Sequence, residues 1–424
     1  MLNQVGSGVK FIKDYNELTV LRFIKENVPV SRAEIAKRYQ LSKAAVSDII
    51  SRLINQGYVS EIGVGNSTSR GGRRPIMLKF NNTAGYVIAV EIKRSHARIA
   101  LVDLDVNIHD LKTVQYPEGS AFSDISQKIF PIISEYLKYK WVKNAKPIGI
   151  GIGMPGIIDY KTGCVKVSDT LHSWENVPIR NLFEDKFRMQ VILENDVKAL
   201  TLGECLFGQV KTCGNLVNLW IGDGIGAGII INGSLIRGLT ASAGEIGYDE
   251  LGFFIRDSKE FPLLFRGQKD FGDILSNKLL IEAAHEALKW KNYNTCLNEN
   301  SLTLESIVAA AEKSDELAVK LLVEFANILG ILCINMVNML NIEVLILSGK
   351  LLSKSDILLN LVRKRVHQDI LREPAQAVKI VSATLDETGI VKGAAGLVLE
   401  DLFYHPTINI HRYRSIFKEY ETLS

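Results

Sequence analysis

Residues 31–59, SRAEIAKRYQLSKAAVSDIISRLINQGYV, decide how the chain begins. Ser31 followed three positions later by Glu34 has the form of a capping box, in which hydroxyl and carboxylate satisfy each other's orphan backbone donors. A helix is therefore expected from about Ser31, with Ala33, Ile35, Ala36 and Tyr39 on its buried side. Gln40-Leu41 turns the chain into a second start at Ser42, after which Val46, Ile49, Ile50 and Leu53 recur at helical spacing. Lys43, Ala44, Ser47 and Asp48 are left on the opposite face, small or polar as a groove-reading surface requires.

Working outward, Tyr58 to Ile62 alternates, a Gly/Ser/Asn/Thr loop follows, and Pro75 to Phe80 reads as a return strand. This is a hairpin, or wing, with the tip Arg70-Gly71-Gly72-Arg73-Arg74-Pro75. Its glycines let backbone approach closely, and its arginines suit phosphates or a narrow minor groove. A Ser-capped helix pair alone could belong to any small bundle; helix pair, wing and basic tip in order point to DNA. The expected DNA-facing set is Arg32, Ser42, Lys43, Ala44, Ser47, Arg52, Arg73 and Arg74.

Charge agrees. Residues 1–80 hold thirteen Lys or Arg against six Asp or Glu, a net of +7, which leaves −4 for the remainder of a chain whose total is +3. The molecule is polarised, basic where it would meet phosphates. At 424 residues and 47% hydrophobic content it can bury several cores, about three at roughly 150 residues per domain. No apolar run is read as reaching the roughly 18 residues of a bilayer span, and the N-terminus carries no apolar signal segment, so a cytoplasmic location and no membrane partner are expected. Five scattered cysteines argue against a disulfide framework.

Beyond the turn-rich joint Phe80 to Gly85, strand-like runs at 86–92, 97–103, 147–153, 190–193, 216–221, 227–231 and 344–347 alternate with helical segments. The pattern is an α/β body, read as two lobes around a cleft. Asn195-Asp196 at the end of a strand offers an amide and a carboxylate that could hold neighbouring sugar hydroxyls or cap a helix. Glu245 sits among small residues in Gly244-Glu245-Ile246-Gly247, where a carboxylate can project without steric competition.

Gly151-Ile-Gly-Met-Pro-Gly156-Ile-Ile-Asp159, Leu193-Glu-Asn-Asp-Val-Lys-Ala199, Ile221-Gly-Asp-Gly-Ile-Gly-Ala-Gly228-Ile-Ile230 and Ala243-Gly-Glu-Ile-Gly-Tyr248 occur in that order. With the winged helix pair, this set resembles the ROK family of repressors, open reading frames and sugar kinases, over about residues 15–400. The resemblance implies an N-terminal winged helix-turn-helix (1–82) and a two-lobed actin-like, ribonuclease-H-like sugar-kinase fold (83–213 and 214–388). A C-terminal helix and tail (389–424) would pack back on the first lobe. It also implies Asn195, Asp196, Glu245 and Tyr248 as sugar contacts, Asp196 being the position of the kinases' catalytic base.

The sequence departs from the family at several places. Tyr248 stands where a histidine helps bind zinc, and no cysteine lies between Cys213 and Cys296 to supply the clustered thiolates such a site needs. No metal or other cofactor is expected, and Asp270 or Asp273 could replace a further sugar-binding glutamate. The first phosphate loop reads Glu91-Ile-Lys-Arg-Ser95, bulky where glycines are needed. Asp223 replaces a threonine hydroxyl; a like charge at 4 Å costs about 1 kcal/mol even at water's dielectric. Ser348-Gly349-Lys350 at the third loop is ambiguous, and Gly224, Gly226 and Gly228 read as tight strand connections.

The expectation is a sugar-responsive transcriptional repressor without catalytic residues. Its partners would be operator DNA, a monosaccharide effector and a second copy in a homodimer or homotetramer. An active sugar kinase with an attached DNA-binding module, or a scaffold with an empty cleft, are the alternatives.

Overall fold

A computed structural model of the chain describes residues 4–65, 74–138, 145–168, 171, 174–210, 213–251, 261–290, 292–385 and 387–403, the side chains of 4–14, 354, 401 and 402 excepted. It divides into two compact units. The described residues of the first fall within 1–152, 178–193 and 394–424, those of the second within 153–177 and 194–393.

The first unit opens with α1 (Gln4–Glu26), β1 (Val30–Ser31), α2 (Arg32–Tyr39), α3 (Lys43–Asn55), β2 (Val59–Val64) and β3 (Ile76–Phe80). The capping box forms: the Ser31 hydroxyl accepts the Glu34 amide at 3.3 Å, and the Glu34 carboxylate accepts the Ser31 amide at 2.7 Å. Gln40 ends α2 in the left-handed region at φ 52°, and the Ser42 hydroxyl caps α3 through the Ala45 amide at 3.1 Å. Val46, Ile49, Ile50 and Leu53 are buried as expected, but in α2 only Ile35 is; Ala33 is exposed, because α2 is short and touches its neighbours along one narrow stripe. The wing strands pair antiparallel, and β1 adds a third strand on β3.

The first unit continues with β4 (Gly85–Ile92), β5 (His96–Asp103), β6 (Ile108–Gln115), α4 (Phe122–Lys138) and β7 (Lys146–Met154). After β8 (Ile157–Asp159) and β9 (Cys164–Val167) of the second unit come α5 (Ile179–Phe187) and β10 (Val191–Asn195). The sheet order is β10-β7-β4-β5-β6. Aromatic edges lock α4 to α5, with Phe130 5.0 Å from Phe183 and 5.1 Å from Phe187.

The second unit holds α6 (Asp196–Phe207), β11 (Leu216–Ile221), β12 (Ile225–Ile231), β13 (Ser234–Leu235), α7 (Phe271–Ile274), α8 (Asn277–Trp290), α9 (Leu304–Glu312), α10 (Glu316–Leu340), β14 (Val344–Ser348), α11 (Asp356–Asp369), α12 (Arg372–Ala377) and β15 (Lys379–Ser382). α13 (Gly389–Phe403) begins there and ends in the first unit. Its sheet, β13-β12-β11-β14-β15, has an antiparallel hairpin on one side and parallel strands on the other. Numbered along the chain, both five-stranded sheets have the order 3-2-1-4-5.

Where one lobe boundary is expected at 213, the second unit takes in 153–177 and 194–393, and within it α6 packs on β12. A Cβ on Gly228 would lie 1.9 Å from the Thr201 hydroxyl, so this glycine permits the contact, while Gly224 faces open space. Gly393 plays the same part for α13 on α6, its Cβ position lying 2.0 Å from the Ala199 carbonyl. One expectation needs correction: α10 carries an 18-residue stretch of mean hydropathy 2.1, long and apolar enough for a bilayer span. Of that stretch 67% is buried, and α10 forms the centre of the second unit's core.

Asp315 caps α10. Burial alone would raise its pKa, but the amides of Ala318 (3.0 Å) and Cys296 (2.6 Å) and the Thr295 hydroxyl (3.0 Å) outweigh that and hold it below the ordinary 3.8. The cap is fully present above the unfolded pKa and is lost as pH falls through the folded one. Asp315→Ala should destabilise the protein by about 1–2 kcal/mol at pH 7. The wild-type advantage, read from denaturation midpoints, should shrink below about pH 4.

Candidate functional site

The outward face of α3 is set by its inward one. With four apolar residues fixed in the core, Lys43, Ala44, Ser47 and Asp48 are all exposed, and Ser42 lies at the exposed start of the helix as its cap. Arg74 is exposed beside β3, whereas Arg73 lies outside the described residues. Two of the expected DNA-facing arginines are engaged within the protein. The Arg32 guanidinium meets Glu61 of β2 at 2.8 Å. Arg52 donates to Glu17 of α1 at 2.7 Å and pairs with Asp48, so it clamps α1 on α3. Glu17 also accepts from Gln56 at 3.2 Å, and α1, which carries it, is an element the sequence reading lacks.

The DNA-type module is joined closely to the sheet that follows it. The Asp103 carboxylate, 0% exposed, accepts from Asn82 at 2.8 Å, from Asn107 and from the amides of Asp105 and Asn107, and lies 3.0 Å from His109 Nε2. Lys25 of α1 pairs with Asp105 at 2.8 Å, bonds the Leu104 carbonyl, and lies over the rings of Phe80 (4.9 Å) and Phe403 (5.0 Å).

A second constellation forms where β10 meets α6. The Asn195 side chain caps α6, its oxygen accepting the amides of Val197 (3.0 Å) and Lys198 (3.1 Å) while its nitrogen donates to the Gly156 carbonyl (3.1 Å). Asn195 is thus a helix cap in this structure, and Asp196 follows it at 8% exposure. Glu194, 1% exposed, accepts from Arg237 Nε at 2.6 Å, and the Arg237 guanidinium stacks on Tyr160 at 4.8 Å. Lys198, 2% exposed, donates to the Ala241 carbonyl at 2.6 Å. Burial lowers the lysine's pKa, while Glu194, Glu245 and Asp196 act to raise it and Arg237 to lower it.

Glu194, Asp196 and Glu245 are thus the carboxylates that act on this ammonium, and Asn195 caps the helix that carries it. Tyr248 follows Glu245 by one tight turn, its amide donating to the Glu245 carbonyl at 3.3 Å. It is 64% exposed and lines an open groove of about 740 Å³ with Asp249, Glu250, Asn335, Met336, Asn338 and Met339. Asp270 is spent as the cap of α7, accepting the Asp273 amide at 2.9 Å, and Asp273 is exposed. Glu194, Arg237 and Lys198 escape the sequence reading. The legible signal is Lys198 itself, a cation in the first turn of an Asn-capped helix, where acids are favoured.

The expected nucleotide loops can be placed as well. Glu91 is buried and pairs with Arg98 at 3.4 Å and Lys93 at 3.8 Å in the first unit. In the second, Asp223 is exposed in the β11–β12 turn, Gly349 takes φ 121° against the Ile221 carbonyl, and Lys350 pairs with Glu305 at 2.7 Å.

A model of the MarR family matches residues 8–66, and one of the ROK family matches residues 87–401. The xylose repressor of Caldicellulosiruptor bescii is 29% identical over 93% of this chain and 98% of its own. The DNA-binding transcriptional dual regulator NagC of Escherichia coli is 26% identical over 93% and 94%. A crystal structure described as a ROK family transcriptional regulator, a homolog of the E. coli MLC protein, shares the fold at TM-score 0.76 and 24% identity, over 93% of this chain and 98% of its own. With the ROK model spanning residues 87–401 of 424, the chain belongs to the ROK family.

Proposed function

We propose that the protein is a bacterial transcriptional repressor whose winged helix binds operator DNA and whose second unit binds a monosaccharide that alters this binding. The observation that carries it is the exposed Lys43, Ala44, Ser47 face of a doubly anchored α3, in the same chain as the Asn195, Asp196, Glu245 cluster. Relatives named as xylose and N-acetylglucosamine repressors make a neutral or N-acetylated sugar the first effector class to try. One recognition helix reads one half-site, so the reading requires a homodimer or homotetramer on half-sites about one helical turn apart.

No zinc is assigned. An exposed phenol at Tyr248 and the absence of cysteines between Cys213 and Cys296 do not make a thiolate donor set.

A sugar kinase is the competing reading, favoured by the buried Asp196 carboxylate at the start of α6. Against it, Lys93 of the first loop is engaged by Glu91 and Arg94 by Glu118, Lys350 is engaged by Glu305, and Asp223 would meet a polyphosphate with like charge. ATP with D-xylose, D-glucose or N-acetylglucosamine should give no sugar phosphate above background. Turnover that Asp196→Asn abolishes would establish the kinase instead.

The regulator reading is tested by anisotropy titration of the purified protein on its own upstream DNA. Binding should be released by one sugar of the panel and unaffected by the others, whereas tight binding indifferent to all would remove the effector assignment. Asp196→Ala and Glu245→Ala should each abolish the sugar response while operator affinity stays within about twofold.

Lys43→Ala and Arg74→Ala should weaken operator binding without touching the sugar response. Removing one cation that neutralises a phosphate should reduce the slope of log affinity against log salt by about 0.9. Unchanged slopes would move the DNA surface elsewhere.

A further inference from the structure

Lys198 breaks two rules at once. It occupies the third position of α6, at the end of the helix that carries partial positive charge, and a cation there is unfavourable. It is also almost wholly buried, which penalises an ammonium unless it is bonded and paired. Local rules broken together at one position mark sites held for function rather than for folding.

Its bond explains the placement. Nζ reaches the carbonyl of Ala241, a residue 43 positions away that takes φ 65°, in the left-handed region a non-glycine residue rarely adopts. Ala241 lies in the segment that leads from Arg237 to Glu245. Backbone bonds hold that segment at its ends: Ala243 N to the Arg237 carbonyl at 3.1 Å, and Ala227 N to the Gly244 carbonyl at 2.8 Å. Gly244, φ 91°, sits so close to Ala227 that a Cβ would lie 1.9 Å from its carbonyl oxygen. Between those ends, two side-chain straps come from the other half of the constellation: Glu194 to Arg237 and Lys198 to Ala241. The charged groups facing the ammonium are Glu194, Asp196, Glu245 and Arg237.

We propose that Lys198 is a positioning residue of the effector site: by holding the Ala241 carbonyl it fixes the Glu245-bearing loop relative to Asn195 and Asp196 before a sugar arrives. The proposal rests on the sugar-site reading above and deepens it. A pre-ordered site binds more tightly because less freedom is given up on binding.

The test is hydrogen–deuterium exchange on the full-length protein without sugar, paired with operator release by D-xylose, D-glucose and N-acetylglucosamine. Lys198→Met should speed exchange of amides 238–248 at least tenfold while leaving β11 and β12 unchanged. It should raise the concentration of the active sugar needed for release at least tenfold, with sugar-free operator affinity unaltered. Lys198→Arg should restore most of both. If Lys198→Met does not fold, Lys198→Gln, neutral and too short in its stem to hold the Ala241 carbonyl in the same place, carries the same comparison.

Unchanged loop exchange would overturn the proposal. So would faster exchange spread through β11, β12 and β14 with a lowered Tm, which would make Lys198 a residue of the fold. Faster loop exchange in a protein whose wild type answers to none of the three sugars would uphold the clamp on the loop and remove the sugar reading instead.

Discussion

The side-chain amide of Asn195 fixes the turn on which the candidate effector site depends. By accepting two α6 amides and donating to Gly156, it sets where strand β10 stops and helix α6 starts. Glu194, Asp196 and Lys198 take their directions from that turn. One precedes the cap and bonds Arg237, one opens the helix, and one reaches Ala241. A helix begun one residue earlier or later would rotate these groups by about 100° and dissolve the cluster. The two readings of Asn195, helix cap and part of a binding site, are thus compatible, because the cap is what brings the carboxylate beside it into place.

The DNA-type module depends on a comparable device. Between β3 and β4 the chain is tied by Asn81 to the Tyr58 carbonyl (2.9 Å), by the Leu104 amide to Asn82 (3.0 Å) and by the buried Asp103 carboxylate. Lys25 adds an ion pair and two ring contacts across the same junction. A segment whose composition reads as a turn-rich joint is therefore a well-bonded connection. The winged helix and the sheet of the first unit are therefore bonded to each other directly.

What can be read in advance follows from where the information lies. β4 and β14 are buried at every position, and their continuous apolar runs announce strands. The capping residues Ser31 and Ser42 announce helices within a residue of where they begin. β6 at the sheet edge is mostly exposed and carries no such run, and among the described side chains of α1 the buried apolar ones are Val20, Leu21 and Ile24, too few to announce it. The cluster is half legible: Asn195 and Asp196 are adjacent in sequence, but the pairing of Glu194 with Arg237 spans 43 residues and exists only once the strand and loop have folded. Arg52 shows the opposite failure. Its basic type suggests a phosphate contact, yet Glu17, on a helix the sequence reading lacks, claims it.

On the proposed reading, a chain can keep Asp196 and dispense with nucleotide binding for a physical reason. A kinase must stabilise charge on a transferring phosphoryl group, so it fails once backbone amides can no longer surround that group. A sensor needs only to bind its ligand differently in two states. Turning a 1:99 population into 99:1 takes about 5.5 kcal/mol of differential binding. Hydrogen bonds to charged groups contribute roughly 1.5–3 kcal/mol each. Two to four such bonds made in one state and lost in the other would supply that difference, so on the proposed reading Asp196 and Glu245 could serve a sensor without a nucleotide half. The proposed role of Lys198 fits that requirement, because a carboxylate contributes differential binding only if its position in each state is well defined.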